Sequence, residues 1–370
     1  MPEGTRILMV AGGTGGHVIP ALVVAEELRA RNRQAPASGV HFDIEFVGTQ
    51  RALESRLIPA AGFPLRTVVA AGLKGIGGWR KLRNLWLLPR TAWEAARLLR
   101  AFQPHVVVGM GGYLAGPVML EAARRRIPTL LLEPNALPGF TNRVLRTVVR
   151  KAAVGFEQTA VFFGRKAEVT GHPVRKAFFE IPAKEHRCPF TVLIVGGSQG
   201  SRAINQAVVA GLPLLQAERA RFSFIHQTGE ADYHGVRTAY QERGFNSQVH
   251  SFIEDMPGAF AQADLVVSRS GATAVAELAA AGKAALLIPF PAATDQHQLE
   301  NARVLDRAGA AHVIEQAALT PERLVGEIRD LLSDLAADRL RRMEQQARSL
   351  ARPDAAARIA DMIVRLVPSA

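Results

Sequence analysis

The chain contains one cysteine, Cys188, in 370 residues. No internal disulfide can form, and no Cys/His cluster stands at metal-ligand spacing, so a reducing compartment without structural zinc is expected. Long apolar runs are also missing, and no stretch approaches the ~20 residues a helix needs to cross a bilayer. Met1 to Arg6 mix acid and glycine, and the apolar run behind them stops at Gly12, so a signal peptide is not expected. Aromatic residues amount to 6% and no recognition motif accompanies them, which argues against nucleic acid as a partner. The expectation is a cytoplasmic protein that meets any membrane from its surface.

What is present is an ordinary globular composition, 48% apolar and 21% charged, in a chain longer than one hydrophobic core usually serves. Two domains are therefore expected. The net charge of +12 favours an anionic partner, whether nucleic acid, an acidic membrane face or a phosphorylated substrate, and by itself does not choose among them.

Apolar β-rich runs alternate with helical patterns, which predicts α/β architecture with parallel sheets flanked by helices. Two runs open alike: Leu8 to Gly15 and Leu193 to Gly200 each read as a buried strand, a double glycine, a hydroxyl residue and a further glycine. This weak repetition suggests two Rossmann-like domains. Further strands are predicted at Phe42 to Val47, Val106 to Met110, Thr129 to Leu132, Phe222 to Ile225, Leu265 to Val267, Ala285 to Ile288 and Ala311 to Ile314. Pro20 fits the first turn of a helix whose apolar stripe is Ala21, Val24, Ala25 and Leu28. Glycine and proline at Gly171-His172-Pro173 mark a boundary, giving domains of 1–172 and 173–351. The amphipathic helix in 352–370 packs back on the first domain.

Glycine turns after strands let backbone N–H groups and a helix N-terminus approach phosphate. Three occur, at Gly12 to His17, Gly109 to Gly116 and Gly196 to Gly200, which implies a ligand with several phosphates. A dinucleotide fingerprint fails because Val18 stands where a small residue is needed, and no turn continues as Gly-Lys-Ser/Thr. His17 closes the first turn, where an imidazole suits proton removal from an attacking hydroxyl; capping or orienting is the alternative. Ser268 to Glu277 follow a strand and open a helix whose first turn offers N–H groups to a diphosphate. Glu277, one to two turns in, can accept ribose hydroxyls, or is a solvated helix glutamate.

Gly12-Gly13-Thr14-Gly15-Gly16-His17, Gly111-Gly112-Tyr113, Glu133-Pro134-Asn135, Gly171-His172-Pro173-Val174-Arg175, Gly196 to Gly200, Ser270 to Thr273 with Glu277, and Asp295 to Gln298 with Asn301 occur in this order. With them the chain resembles, over nearly its whole length, the MurG family of glycosyltransferases, family 28 in the GT-B superfamily. The resemblance implies a GT-B fold, two Rossmann-like domains with parallel sheets facing across a cleft. It implies inverting transfer of N-acetylglucosamine from UDP-N-acetylglucosamine to undecaprenyl-pyrophosphoryl-MurNAc-pentapeptide (lipid I), giving lipid II for peptidoglycan. The enzyme would work at the cytoplasmic face of the bacterial plasma membrane, with other cell-wall synthesis proteins as possible partners. The alternatives are another GT-B glycolipid transferase, an epimerase of the same sugar nucleotide, or a catalytically silent membrane-associated binding module.

By the same resemblance His17 is the catalytic position, uracil is held near Ile253, and ribose by Glu277. The diphosphate rests on Ala272, Thr273, Ala274, Val275 and Ala276. Arg175 and Ser198 contact the donor, while Asn135, Gln298 and the turn Thr14, Gly15, Gly16 hold the sugar or its neighbouring phosphate. Gly112, Tyr113 and Glu133 belong to the acceptor side. Pro134 replaces a glutamine common in the family and stiffens the backbone there. No Asp-x-Asp pair occurs, so no metal and no cofactor are expected, and dipoles would stabilise the leaving UDP.

Between Leu73 and Arg100 stand seven basic residues, one acid and all three tryptophans. Leu73, Ile76, Trp79, Arg80, Lys81, Leu82, Leu85 and Trp86 suit an anionic headgroup layer. Some of these apolar residues belong to the core, but four nearby glycines favour an exposed membrane-docking patch.

Overall fold

The structure, a computed structural model, describes residues 4–12, 15–34, 41–49, 52–68, 78–293, 296–333 and 337–368, except for the side chains of 52, 53, 78–89 and 337. The chain divides into two units, Met1–Val174 with Asp354–Ala370, and Arg175–Pro353. The first crossing lies two residues beyond the boundary expected at Gly171-His172-Pro173, and the second two residues beyond the expected start of the C-terminal helix segment at 352.

Unit 1 carries strands β1 (Thr5–Val10), β2 (Phe42–Gly48), β3 (Leu65–Thr67), β4 (Val106–Gly109), β5 (Thr129–Glu133), β6 (Lys151–Val154) and β7 (Ala167–Val169). Its helices are α1 (Gly15–Gln34), α2 (Ala52–Ala60), α3 (Gly78–Phe102), α4 (Gly112–Arg124), α5 (Phe140–Leu145) and α6 (Glu157–Phe163). The sheet is parallel in the order β3-β2-β1-β4-β5-β6-β7. Residues from both faces of β1, Ile7 and Met9 on one and Leu8 and Val10 on the other, are buried in separate apolar clusters. That is why a parallel strand reads as a continuous apolar run.

Unit 2 opens with the short α7 (Lys176–Phe179) and carries β8 (Phe190–Val195), β9 (Phe222–Gln227), β10 (Asn246–His250), β11 (Leu265–Ser268), β12 (Ala285–Leu287) and β13 (Ala311–Val313). Helices α8 (Arg202–Gly211), α9 (Tyr233–Glu242), α10 (Met256–Gln262), α11 (Ala272–Ala281), α12 (His297–Arg307), α13 (Pro321–Leu331) and α14 (Ala337–Ser349) surround a parallel sheet. Its order is β10-β9-β8-β11-β12-β13. In both sheets the order reverses direction once, between β1 and β4 and between β8 and β11. Crevices at such reversals, at the carboxyl ends of the strands, are where open α/β sheets bind ligands.

The final helix, α15 (Ala355–Leu366), returns to unit 1 and buries Ile359, Met362 and Ile363 against the α1 side of the sheet. Each of these side chains contributes about 2 kcal/mol, and Arg31 adds an ion pair to Asp361 at 2.7 Å.

Helix α1 starts at Gly15, so Pro20 sits well inside it, not in the first turn as its ring geometry had suggested. Pro20 has no N–H to return to the Gly16 carbonyl, yet the buried stripe of Ala21, Val24, Ala25 and Leu28 holds the helix through it. Strands β3, β6, β7 and β10 were not predicted. β3, β7 and β10 are sheet edges: β10 alternates exposed and half-buried residues, and the β7 residues are half buried. β6 is interior and buried at Ala152, Ala153 and Val154, but it is short and alanine-rich and so shows no apolar run.

Candidate active site

In unit 1 the β1–β4 reversal brings together His17, in the first turn of α1, and Gly112, the first residue of α4. A Cβ on Gly112 would lie 3.3 Å from His17 Cε1 and 3.5 Å from its Nδ1, and the residue has φ +75°. The imidazole therefore packs closely on this backbone, and the positive φ is what favours glycine there, with a side chain also pressing on the imidazole. Tyr113 follows in the same turn, half buried. His172 is buried nearby, in a recess with Gly16, Met110, Glu133 and Pro134. Burial, with a smaller contribution from His17, draws its imidazole down to about 4, so it is neutral at physiological pH.

Glu133 ends β5 and is 1% exposed. Its carboxylate accepts from the Asn135 backbone N–H at 3.0 Å and the Asn135 side-chain amide at 3.0 Å. It also accepts from Gly139 N–H at 2.9 Å and Asn142 Nδ2 at 2.9 Å. Burial pushes the carboxyl up, and these hydrogen bonds oppose that. Glu133 thus spends its acceptors on the 134–142 loop and sets the position of Asn135, a role that the motif by itself does not reveal.

In unit 2 the turn after β8 carries the exposed Ser198. A Cβ on Gly200, at φ +74°, would fall 1.8 Å from the Thr228 carbonyl oxygen, so only glycine lets this turn close against the end of β9. Helix α11 begins at Ala272 after Gly271, and no side chain caps it. Ala272 and Val275 turn inward and offer backbone only; Thr273, Ala274 and Ala276 are half buried. Glu277, in the second turn, keeps 13% of its side chain exposed and lies 3.5 Å from Arg175 Nη2. Burial drives its carboxyl up to about 7 against the opposing charge of Arg175. Among the described residues the buried Arg175 Nε has no hydrogen-bond partner.

Two contacts went unread in the sequence. Gln227, at the end of β9, accepts from Ile253 N–H at 2.8 Å and donates to the Gly197 carbonyl at 2.8 Å, so the backbone group expected to meet a pyrimidine is held by an amide. Its signal was a buried-length strand ending in Gln227-Thr228-Gly229. Gln298 in turn accepts from Phe290 N–H at 3.0 Å, and its own carbonyl accepts from Ser270 Oγ at 2.8 Å. This ties α12 to the segment before α11.

Thr14, Leu73, Ile76 and Asp295 lie outside the described residues. Trp79, Arg80, Lys81, Leu82, Leu85 and Trp86 fall on α3, with side chains outside the described set. Trp93, also on α3, is 62% exposed, and Leu120, Phe140 and Val144 are exposed large apolar residues of α4 and α5. No helix of the described residues is long and apolar enough to cross a membrane.

The glycosyltransferase family 28 N-terminal domain matches residues 7–154, and the family 28 C-terminal domain matches residues 191–359. The chain is 44% identical over 357 residues to the UDP-N-acetylglucosamine–N-acetylmuramyl-(pentapeptide) pyrophosphoryl-undecaprenol N-acetylglucosamine transferase of Solibacter usitatus, covering 96% of this chain and 94% of the relative. The protein of the same name from Myxococcus xanthus is 43% identical over 365 residues, 98% of this chain and 93% of its own. The crystal structure of Acinetobacter baumannii MurG superposes with a TM-score of 0.76 at 31% identity, covering 98% of this chain and 99% of that one. The UDP-GlcNAc 2-epimerase from Neisseria meningitidis, at 12% identity and a TM-score of 0.67 over 98% of this chain and 100% of its own, shares the fold alone. With both halves matched and relatives similar from end to end, the chain belongs to glycosyltransferase family 28.

Proposed function

We propose that the enzyme transfers N-acetylglucosamine from UDP-N-acetylglucosamine to the 4-hydroxyl of the MurNAc residue of undecaprenyl-pyrophosphoryl-MurNAc-pentapeptide, with inversion at the anomeric carbon. The observation that carries this is the pairing of Arg175 with Glu277 one turn behind the uncapped start of α11. A helix N-terminus for a diphosphate and a buried carboxylate for ribose hydroxyls are what a nucleotide sugar requires. The names and end-to-end similarity of the relatives supply the acceptor.

In this reading unit 2 takes the donor. The diphosphate lies on the N–H groups of Ala272 to Ala276, with Ser198 and the half-exposed Arg175 guanidinium completing its contacts. The pyrimidine pairs with Ile253 after the Gln227 amide has swung aside. Unit 1 takes the acceptor. The 4-hydroxyl oxygen forms a bond to the anomeric carbon as the bond from that carbon to the β-phosphate oxygen breaks. The electron pair leaves with UDP and the hydroxyl proton goes to His17. Glu133 acts by fixing Asn135, whose amide is left to address a sugar hydroxyl. Charge building on the leaving group is met by fixed dipoles and Arg175.

Membrane contact belongs to the same reading. Phe140 and Val144 stand one turn apart on α5, and the stretch from Asn135 to Gly155 carries Arg143, Arg146, Arg150 and Lys151 with no acid. Exposed apolar groups set in a stretch with four basic residues and no acid suit the anionic cytoplasmic face of the plasma membrane.

The test is to incubate purified enzyme with radiolabelled UDP-N-acetylglucosamine and the lipid-linked muramyl pentapeptide. Disaccharide lipid is the expected product. Label released free, or donor bound without any transfer, overturns the proposal in favour of an epimerase or a silent binding module.

A further inference from the structure

We propose that Arg269 is a fixed, buried positive charge that draws the donor's diphosphate into unit 2 and stabilises UDP as it leaves, acting through its field and not by contact. This rests on the donor reading above.

Arg269 follows β11 and is 9% exposed. Its Nη1 donates to the carbonyls of Ile288 at 3.0 Å and Pro289 at 3.2 Å. Its Nη2 donates to Ser201 Oγ at 2.7 Å and Gln316 Oε1 at 2.7 Å. The guanidinium thus joins the segments that leave β8, β11, β12 and β13 at their carboxyl ends, across the sheet reversal. With both terminal nitrogens engaged it has little left to offer a ligand directly.

All four partners are neutral, and among the described residues no carboxylate pairs with it. A buried cation normally brings a counter-ion with it, because desolvation of an unpaired charge is costly. Burial draws the guanidinium down to about 10, still well above neutrality, so the charge persists. The Phe290 ring lies 5.2 Å from the guanidinium carbon and covers it, which keeps water from screening the field.

The placement supplies the missing counter-ion. Arg269 stands two residues before Gly271, the cap of α11, and Ser201 caps α8 directly after the glycine turn. Two helix N-termini and one unpaired cation face the same crevice, and all three favour negative charge. A structural staple would need the four hydrogen bonds but not the absence of an acid.

Calorimetric binding of UDP and of uridine separates the two roles, since only UDP carries phosphate. In Arg269→Gln the loss of UDP affinity should exceed the loss of uridine affinity by about thirtyfold, the Coulomb coupling of one buried charge at close range. Arg269→Lys keeps the charge and should keep the ratio of the two affinities within about threefold of wild type. Gln316→Glu leaves Arg269 in place, retains its hydrogen bond and supplies the absent carboxylate, so it should lower the ratio by about tenfold even if Arg269→Gln does not fold. Equal losses of UDP and uridine binding in Arg269→Gln, or an unchanged ratio in Gln316→Glu, overturn the proposal and leave a staple. Wild-type enzyme that binds no UDP overturns the donor reading instead.

Discussion

Replacing Glu277 by glutamine should strengthen the fold and weaken the donor site, and both effects follow from one buried carboxyl. Burial raises this group from 4.5 to about 7 in the folded protein, so the native state binds its proton more tightly than the unfolded chain. The stability that goes with the proton is present in full below pH 4.5 and is lost as pH rises through 7. A displacement of that size corresponds to about 3 kcal/mol, an upper value because 13% of the side chain still meets solvent. Glutamine keeps the shape and cannot ionise. Glu277→Gln should therefore match wild type near pH 5 and exceed its stability by up to about 3 kcal/mol at pH 8. Arg175, 39% exposed, loses its partner to water at little cost. UDP binding should move the other way, since two ribose hydroxyls lose a charged acceptor, a change of about ten- to a hundredfold in affinity. Urea unfolding at pH 5, 6, 7 and 8, with calorimetric UDP titrations at the same values, checks both arms. Because the terminal phosphate of UDP also ionises in this range, the ratio of wild-type to variant affinity is the readout, and it should climb with pH through neutrality. A stability difference between the two proteins that is the same at pH 5 and pH 8 refutes the reasoning.

His17→Ala should lower kcat by about 10²- to 10⁴-fold with UDP affinity nearly unchanged; full turnover in the transfer assay removes the base assignment. Glu133→Ala removes the buried acceptor shared by four donors, so a loss of about 2–4 kcal/mol in urea unfolding is expected, together with a raised donor KM. The His186 side chain, 1% exposed between Asp264 at 2.9 Å and Glu344 at 3.3 Å, is drawn down by burial but raised more by these carboxylates, which hold it up at about 9. Its contribution is complete below pH 6.5 and lost as pH rises through 9, up to about 3 kcal/mol. Stability measured against pH in Asp264→Asn should lose most of that slope. Phe140→Asp with Val144→Asp should abolish pelleting with anionic lipid vesicles while soluble UDP binding persists; undiminished pelleting would place the membrane face elsewhere.

Central strands were legible because a parallel strand covered on both sides must be apolar along its whole length, as Ile7 to Val10 and Val192 to Ile194 are. Edge strands β3, β7 and β10 were not, since residues such as Asn246, Gln248 and His250 are exposed and carry no such constraint. Interior β6 escaped because Lys151-Ala152-Ala153-Val154 is short and alanine-rich, while the edge strand β13 was legible through its buried Ala310, Ala311 and Ile314. Pro20 misled the reading of α1 because local ring geometry favours a helix start, whereas the packing of Val18, Ala21 and Val24 outweighs one missing hydrogen bond. Glu277 was assigned to the donor ribose and Glu133 to the acceptor side, yet both were read as carboxylates that meet substrate. Only their neighbours distinguish them: one is consumed by the loop it holds, and the other faces a single guanidinium.

The amino-acid order alone determined the α/β class, the two glycine-opened halves and the return of α15. These follow from periodicity and from the absence of a Cβ, which are properties of neighbouring residues. Tertiary structure decided what each polar side chain does with its hydrogen bonds. His17 reaches Gly112 across 95 positions, Gln227 reaches Ile253 across 26, and Arg269 reaches Ser201 across 68. Contacts over such separations exist only once the sheets have placed their strand ends side by side, and no local pattern encodes them.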